Sequence, residues 1–295
     1  MCRLFGLSAA PARITATFWL ADAPDSLTAQ SHREPDGVGL GFFRPDGTAV
    51  LHKQPIAAYQ DPAFARDARD VSSSTFLAHV RYATTGPLRT ENTHPFLQDH
   101  RLFAHNGVVA GLDRLDDEIA RELGHPSTEL VSGDTDSERI FALITARARR
   151  HGDITRAITD ALGWIAANLP VYAVNFIMTT TTDLWALRYP ATNPLYLLSR
   201  PSGGAAGARE LDHAGAPGTI RARSRDLAGT SATVLATERM DDDPGWRPLA
   251  SGELLHVSSG QHVTTRTVLD RPPAHPLSLA DLGDLTSPPL RRRRS

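Results

Sequence analysis

The second residue of the chain is its only cysteine, and its position permits unusual chemistry. Cys2 follows Met1 directly, and cysteine is small enough for the initiator methionine to be removed. Removal would leave a thiol and a free α-amino group on one residue. Because an α-amino group has an unperturbed pKa of roughly 7.7 to 8.0, it can accept the thiol proton near neutral pH and later protonate a leaving nitrogen. Cys2 could then hydrolyse an amide without a partner histidine. The alternative is an ordinary small residue near a terminus.

A second group of residues could stabilise the oxyanion that forms when a thiol attacks an amide carbonyl. His105, Asn106 and Gly107 end an apolar, strand-like segment. The side-chain amide of Asn106 and the backbone N–H of Gly107 are suitable donors, and glycine lets the backbone approach a substrate closely. The same Asn-Gly dipeptide also marks a plain turn between strands, so the motif alone leaves both interpretations open.

Two charged residues suit a substrate that, like glutamine, carries an α-carboxylate and an α-ammonium group. The planar guanidinium of Arg81 can bind a carboxylate with two hydrogen bonds. Asp136 would lie in the first turn of a helix capped by Thr135, where the helix dipole keeps a carboxylate ionised and available to an ammonium group. Taken singly, Arg81 is equally explained as a solvated strand residue and Asp136 as a favourable first-turn acid.

Histidines are frequent in the first part of the chain, but their spacing does not favour a metal. His32, His79, His94, His100 and His105 form neither a His-x-x-x-His nor a His-Glu-x-x-His arrangement. A single cysteine also excludes an internal disulfide and a cysteine-based zinc cluster. We therefore expect no metal and no cofactor.

Composition limits the class of protein. The chain has 295 residues, of which 41% are hydrophobic and 22% charged, and its formal net charge is -2. These values are typical of an ordinary globular protein and favour neither nucleic acid nor a membrane surface as partner. The arginine run at 291–294 is interpreted as a solvated tail. The sequence shows no signal peptide and no apolar stretch of the roughly 20 residues that would span a membrane, which predicts a cytoplasmic protein.

The hydrophobic pattern predicts strands, then helices, then strands again. Predicted extended segments are 1–10, 38–52 with a hairpin turn at 46–47, 75–83, 101–110, 171–180, 183–190, 195–199, 231–237 and 253–265. Helices are predicted over 135–150, where Thr135 and Glu138 have capping-box spacing, and over about 154–168. This order suggests stacked sheets with helices on their outer faces. One domain over 1–270 is expected, with a flexible surface loop at 201–230 and a tail at 271–295 that is disordered at its end.

Taken together, these segments resemble the class II glutamine amidotransferases, which are N-terminal nucleophile hydrolases, and in particular their stand-alone bacterial members. The motifs that carry the resemblance follow one another in order through the first 140 residues: MC at 1–2, REPDGVG at 33–39, AHVRYATTG at 78–86, NTHP at 92–95, HNG at 105–107 and GDTDSE at 133–138.

The resemblance implies an α+β fold, a four-layer αββα sandwich of two antiparallel sheets. It also implies that glutamine is hydrolysed to glutamate and ammonia through a γ-glutamyl thioester on the terminal cysteine. The site roles that it implies are Cys2 as nucleophile, Asn106 and Gly107 as oxyanion hole, Arg81 as carboxylate ligand, Asp136 as ammonium ligand, and Thr84 as a further substrate contact.

Departures from the family pattern keep alternatives open. The common Trp-Ala-Thr-His-Gly sequence has Tyr82 and Thr85 in place of its tryptophan and histidine here, which affects the edges of the pocket. No length remains for a domain that consumes ammonia, so a separate synthase is a possible partner. The opening MCRLFG partly resembles the start of the γ-glutamyl hydrolases of ergothioneine biosynthesis, which makes a larger γ-glutamyl conjugate the alternative substrate. A non-catalytic binding subunit is a further alternative.

Overall fold

Two large β-sheets carry most of the fold. The computed structural model describes residues 2–82, 87–203, 211–214, 221–224, 227 and 229–285. In chain order, its first strands are β1 (Arg3–Ser8), β2 (Ile14–Thr15), β3 (Val38–Phe43), β4 (Ala49–Gln54), β5 (Ser72–Ser73), β6 (Thr75–Val80), β7 (Phe96–Gln98), β8 (Arg101–Val109) and β9 (Pro170–Thr179). The later strands are β10 (Leu184–Arg188), β11 (Tyr196–Arg200), β12 (Leu211–Ala214), β13 (Arg221–Ser224), β14 (Ala232–Ala236), β15 (Arg247–Pro248), β16 (Glu253–Val257), β17 (Val263–Thr267) and β18 (His275–Pro276).

The strand order places β1 and β8 inside their sheets. The first sheet runs β15-β11-β14-β1-β6-β3-β4, and the second runs β17-β16-β10-β9-β8-β7. Every pairing along these two orders is antiparallel, whereas β18 pairs with the start of β9 in parallel. The predicted pair of antiparallel sheets is therefore confirmed, with one short parallel addition.

Side chains alternate along these strands and so form three apolar layers. Between the sheets, one buried cluster joins side chains from both of them, including Leu4, Leu77, Leu102 and Ile177. A second cluster covers the outer face of the first sheet and contains Phe5, Trp19 and Phe64. A third lies between the second sheet and its helices. With helices outside both sheets, this is the four-layer sandwich that the resemblance implies.

Two groups of helices form the outer layers. The helices are α1 (Leu27–Gln30), α2 (Pro62–Asp70), α3 (Leu112–Leu123), α4 (Asp136–His151), α5 (Ile154–Asn168) and α6 (Leu279–Leu285). Leu27 of α1 and Phe64 of α2 pack on the first sheet, while apolar faces of α3, α4 and α5 pack on the second. The helix predicted over 135–150 begins as expected, because Thr135 Oγ1 accepts the Glu138 N–H at 3.3 Å.

The structure describes parts of two segments that the domain prediction singled out. In the segment 201–230, β12 and β13 pair as a short antiparallel sheet, while 204–210, 215–220, 225–226 and 228 lie outside the described residues. The segment predicted as a tail from 271 instead contains β18 and α6. Leu277 and Leu282 pack against Val108, Tyr172 and Ala173 of the second sheet, so residues 271–285 extend its apolar core. Residues 286–295 lie outside the described part of the chain, and disorder there stays a prediction.

Candidate active site

Strand alternation brings the predicted catalytic residues to one end of the layer between the sheets. Leu4 of β1 and Leu77 of β6 face this layer, and so does Ala104 of β8. Cys2 lies two residues before Leu4, whereas His79 and Asn106 lie two residues after Leu77 and Ala104. Arg81 is the next position on the same face after His79. Leu4 pairs with His79 in the register of β1 and β6. The antiparallel pairing therefore sets Cys2 beside Arg81, with Asn106 opposite them on the second sheet.

The Cys2 thiol is held by the backbone of Tyr82. Tyr82 N–H donates to Sγ at 3.2 Å, and Sγ lies 3.2 Å from Tyr82 O. Burial raises the pKa of the Cys2 thiol, and the Tyr82 hydrogen bond and the nearby Arg81 guanidinium only partly oppose this effect, while the Glu34 carboxylate adds to it. The thiol is therefore protonated at neutral pH, and attack on a carbonyl requires a base at Sγ.

Asn106 lies against the nucleophile. Its Nδ2 donates a 2.8 Å hydrogen bond to the backbone oxygen of Cys2, which holds this donor beside the residue that carries the thiol. Gly107 follows in β8, where a Cβ would lie only 1.8 Å from Ala173 O of β9. Close approach of the two strands thus requires glycine at this position. The Asn-Gly pair lies within β8 and does not form a turn.

Arg81 is buried directly after β6. Its N–H donates to Gly37 O at 2.8 Å, and its carbonyl accepts the Asp36 N–H at 3.1 Å, so the backbone is clamped on both sides. The guanidinium donates to Pro87 O at 3.2 Å. Burial lowers the pKa of Arg81, and Cys2, Asp36 and Asp136 act in the opposite direction. Because the ordinary pKa of an arginine side chain is far above neutral pH, the group stays charged and can bind a carboxylate.

Asp136 opens helix α4 and is 97% buried, with an exposed fraction of 3%. Oδ2 accepts the Val109 N–H at 2.8 Å and Oδ1 accepts the Ser137 N–H at 2.9 Å. These bonds fix the carboxylate between β8 and α4. Each oxygen has a further lone pair, so an ammonium group can be bound in the same plane. Asp136 therefore lies beside β8, and its charge raises the pKa of Arg81.

Three buried histidines lie behind the site. The rings of His79 and His94 are 4.2 Å apart, and neither ring has a hydrogen-bond partner in the described part of the chain. Burial, followed by the Arg81 charge, lowers the pKa of His79 to about 3, and burial also lowers the pKa values of His94 and His105. All three rings are neutral at pH 7. They are therefore poor candidates for the base that serves Cys2.

His105 precedes Asn106 in β8 and connects this strand to β9 and to the start of α4. Its Nε2 donates to Ala173 O at 3.3 Å, because a carbonyl can only accept. Nδ1 of this neutral ring then accepts from the Ser137 hydroxyl at 2.9 Å. The Ser137 proton is thereby directed away from Asp136, whose Oδ1 lies 3.4 Å from Ser137 Oγ.

The sequence-based prediction named side chains of the candidate site but none of the groups that hold them in place. Thr84 lies outside the described residues, so its role stays a prediction. The backbone of Tyr82 was not predicted, because a main-chain contact leaves no trace in residue type. The neighbours Arg3 and Glu34 were also missed. Arg3 lies 3.7 Å from Glu34 and 3.2 Å from Glu238, and pairing between charges on distant segments has no sequence signature.

Two features are absent from the residues that the structure describes. Within those residues, no group of three or more histidine, cysteine, aspartate or glutamate side chains is arranged to hold a metal ion. None of the helices in the same part of the chain is both long and apolar enough to cross a membrane.

Comparison with known proteins agrees with this fold. A glutamine aminotransferase class-II domain protein from Silicibacter pomeroyi has a solved structure that superimposes with a TM-score of 0.57 at 18% identity, covering 91% of this chain and 100% of the other. At this identity the likeness concerns the fold alone. The shared architecture is the sandwich of two antiparallel sheets with helices on their outer faces.

The family is shown by sequence. The model of class-II glutamine amidotransferases matches residues 1–278. The gamma-glutamyl-hercynylcysteine sulfoxide hydrolase of Mycobacterium tuberculosis is 29% identical over 282 residues, which is 92% of this chain and 98% of the relative. The glutamine–fructose-6-phosphate aminotransferase of Chlamydia caviae is 26% identical over 164 residues, or 55% of this chain and 25% of that enzyme. The chain belongs to the class II glutamine amidotransferases, and it is an enzyme of the hydrolase or amidotransferase type.

Proposed function

We propose that this chain hydrolyses a γ-glutamyl amide, with glutamine converted to glutamate and ammonia through a γ-glutamyl thioester on Cys2. The observation that carries the proposal is that Cys2, Arg81 and Asn106 lie together at one end of the layer between the sheets, while Asp136 is fixed to β8 near enough to raise the pKa of Arg81. These residues supply a nucleophile, an oxyanion donor and one ligand for each charge of a glutamyl group.

The proposed reaction uses the α-amino group of Cys2 as base. While Met1 is attached, the nitrogen of Cys2 is an amide and cannot accept a proton. After removal of Met1, the free amine takes the thiol proton as Sγ bonds to the side-chain carbonyl carbon of the substrate. Asn106 Nδ2 then leaves Cys2 O for the developing oxyanion, together with the Gly107 N–H. The amine returns the proton to the amide nitrogen, the C–N bond breaks and ammonia leaves. Water attacks the thioester by the same route and releases glutamate.

Substrate recognition is proposed to depend on opposite charges at the two sides of the pocket. Arg81 binds the α-carboxylate with two parallel hydrogen bonds, and Asp136 binds the α-ammonium group. Both side chains are buried, at exposed fractions of 3% each. Little solvent therefore screens their interaction with a bound glutamyl group. Thr84 is proposed as a further contact.

A larger γ-glutamyl conjugate is the second candidate substrate. The relative from Mycobacterium tuberculosis supports it, because that protein is named a hydrolase of such a conjugate and matches almost end to end. The glutamyl half would bind as described, and only the leaving group would differ. A separate ammonia-using synthase as partner and a cytoplasmic location remain proposals that go with the glutamine reaction.

A substrate panel on the purified chain tests the proposal. Glutamate release is measured from L-glutamine, from γ-glutamyl-p-nitroanilide and from γ-glutamyl thioether conjugates, for the wild type and for Cys2→Ala. We expect the wild type to release glutamate from glutamine and the variant to release none, with an unchanged circular dichroism spectrum. Release from conjugates alone would favour the second candidate. Equal rates in wild type and variant would overturn the mechanism.

A further inference from the structure

The NTHP segment at 92–95 has no role in the proposed chemistry, yet its first residue is among the most buried polar groups near the site. Asn92 has an exposed fraction of 1%. Its Oδ1 accepts the Asp134 N–H at 2.8 Å, and its Nδ2 lies 3.3 Å from Asp134 Oδ2 and 3.2 Å from Pro87 O. Asp134 is 42 residues from Asn92 in the sequence, whereas Pro87 lies five residues before it. The side chain therefore joins two parts of the pocket wall.

The two segments that Asn92 joins each hold one charged ligand. Pro87 O, which accepts from Asn92, also accepts from the Arg81 guanidinium at 3.2 Å. Asp134 lies two residues before Asp136, and the turn between them leads directly into α4. Arg81 follows a strand of the first sheet, whereas Asp136 begins a helix on the outer face of the second. Their separation depends on contacts that cross between these layers.

We propose that Asn92 is a positioning residue that sets the distance between the carboxylate-binding Arg81 and the ammonium-binding Asp136. The α-carboxylate and α-ammonium groups of a glutamyl substrate are attached to the same carbon, so both ligands must be in place together. The Asn92 side chain meets this need because it joins the segments next to the two ligands. Its hydrogen bonds are with Pro87 and Asp134 and not with Cys2 or Asn106. This inference rests on the proposed γ-glutamyl hydrolysis.

Gly133 gives independent support for this proposal, because the fold leaves no space between Gly133 and the Asn92 side chain. A Cβ on Gly133 would lie 2.5 Å from Asn92 Oδ1 and 3.1 Å from Glu138 Oε2. Gly133 N–H also donates to that Glu138 oxygen at 2.6 Å. The segment before α4 is thus fixed against both Asn92 and the helix. A side chain at position 133 would displace the Asn92 side chain without removing it.

The test separates substrate positioning from general damage. For Asn92→Ala we expect the KM for L-glutamine to rise about tenfold with kcat within about threefold of wild type, since binding and not chemistry is affected. Gly133→Ala is expected to act in the same direction. The matched control is Gln98→Ala. It also removes a buried side-chain amide, which donates from Gln98 Nε2 to Leu130 O at 2.7 Å and has no hydrogen bond to either charged ligand. The KM of this variant should stay at the wild-type value.

A second substrate gives a readout that a merely structural role would not change. Glutaramate has the carboxamide and the carboxylate of glutamine but no ammonium group, so it does not require both ligands at once. We expect the ratio of kcat/KM for glutamine to that for glutaramate to fall about tenfold in Asn92→Ala. An unchanged KM, or equal losses on both substrates, would overturn the inference. If the wild type released glutamate from none of the panel substrates, the proposed function itself would fail, and that result is distinct because it does not depend on the variant.

Discussion

Replacing His79 by leucine should make the protein less sensitive to acid. His79 is fully buried between the sheets, next to His94, and neither of its ring nitrogens has a hydrogen-bond partner in the described part of the chain. Its pKa is lowered to about 3, first by burial. The unfolded chain would bind a proton at this residue near pH 6.5. Acid therefore favours the unfolded state.

The magnitude follows from the two pKa values. The folded-state pKa lies below the unfolded one, so the contribution of His79 is complete above about pH 6.5 and is lost as the pH falls toward 3. Between pH 7 and pH 5, the proton uptake of the unfolded chain lowers the free energy of unfolding by about 2 kcal/mol for this one residue. That is a large share of the roughly 5 to 15 kcal/mol that stabilises a typical domain.

The assay is guanidinium unfolding at pH 7 and pH 5 for the wild type and for His79→Leu. Leucine suits the site because the imidazole nitrogens have no partners to lose, and an apolar replacement then costs little. The variant should lose about 2 kcal/mol less between the two pH values than the wild type does. The control is His262→Leu at an exposed position, which should keep the wild-type difference. An unchanged pH dependence in His79→Leu would refute the reasoning that burial holds this ring neutral.

Three further predictions concern the site. Asn106→Ala should lower kcat by roughly 10² to 10³, the usual effect of losing one oxyanion donor; steady-state kinetics with near-normal kcat would remove Asn106 from that role. Arg81→Lys should raise the KM for glutamine because one ammonium cannot reproduce a bidentate contact, and an unaltered KM would indicate another carboxylate ligand. Gly107→Ala should destabilise the fold by about 1 to 3 kcal/mol, since the Cβ would lie 1.8 Å from Ala173 O. A denaturation midpoint equal to wild type would contradict that packing argument.

Sequence patterns predicted the parts of the fold that depend on local rules. The cap at Thr135 and the start of α4 follow from residue type and spacing, and the structure confirms both. The capping box is only half formed, however, because the Glu138 carboxylate accepts from Gly133 N–H and not from the cap residue. Alternation along β1, β6 and β8 then brings Cys2, Arg81 and Asn106 together, as the family resemblance implies.

Other features could not be predicted, for identifiable reasons. Helix α3 carries buried Leu115 and Ile119 at helical spacing. This pattern is typical of a helix, but the sequence analysis did not predict one there. The segment from 271 packs on the second sheet through a few residues such as Leu282, which is too little apolar content to distinguish it from a tail. The contacts of Asn92 join positions 42 residues apart, and no local pattern encodes such a pairing.

The most direct test of the central claim is the intact mass of the purified protein before and after incubation with a diazoketone analogue of glutamine. The account predicts a chain that lacks Met1 and gains a single adduct, which peptide mapping places on Cys2. Excess L-glutamine should slow the labelling, since both compounds occupy the glutamyl pocket. A chain that has lost Met1 but gains no adduct, or one that is labelled elsewhere, would contradict the assignment of Cys2 as a nucleophile that recognises a γ-glutamyl group.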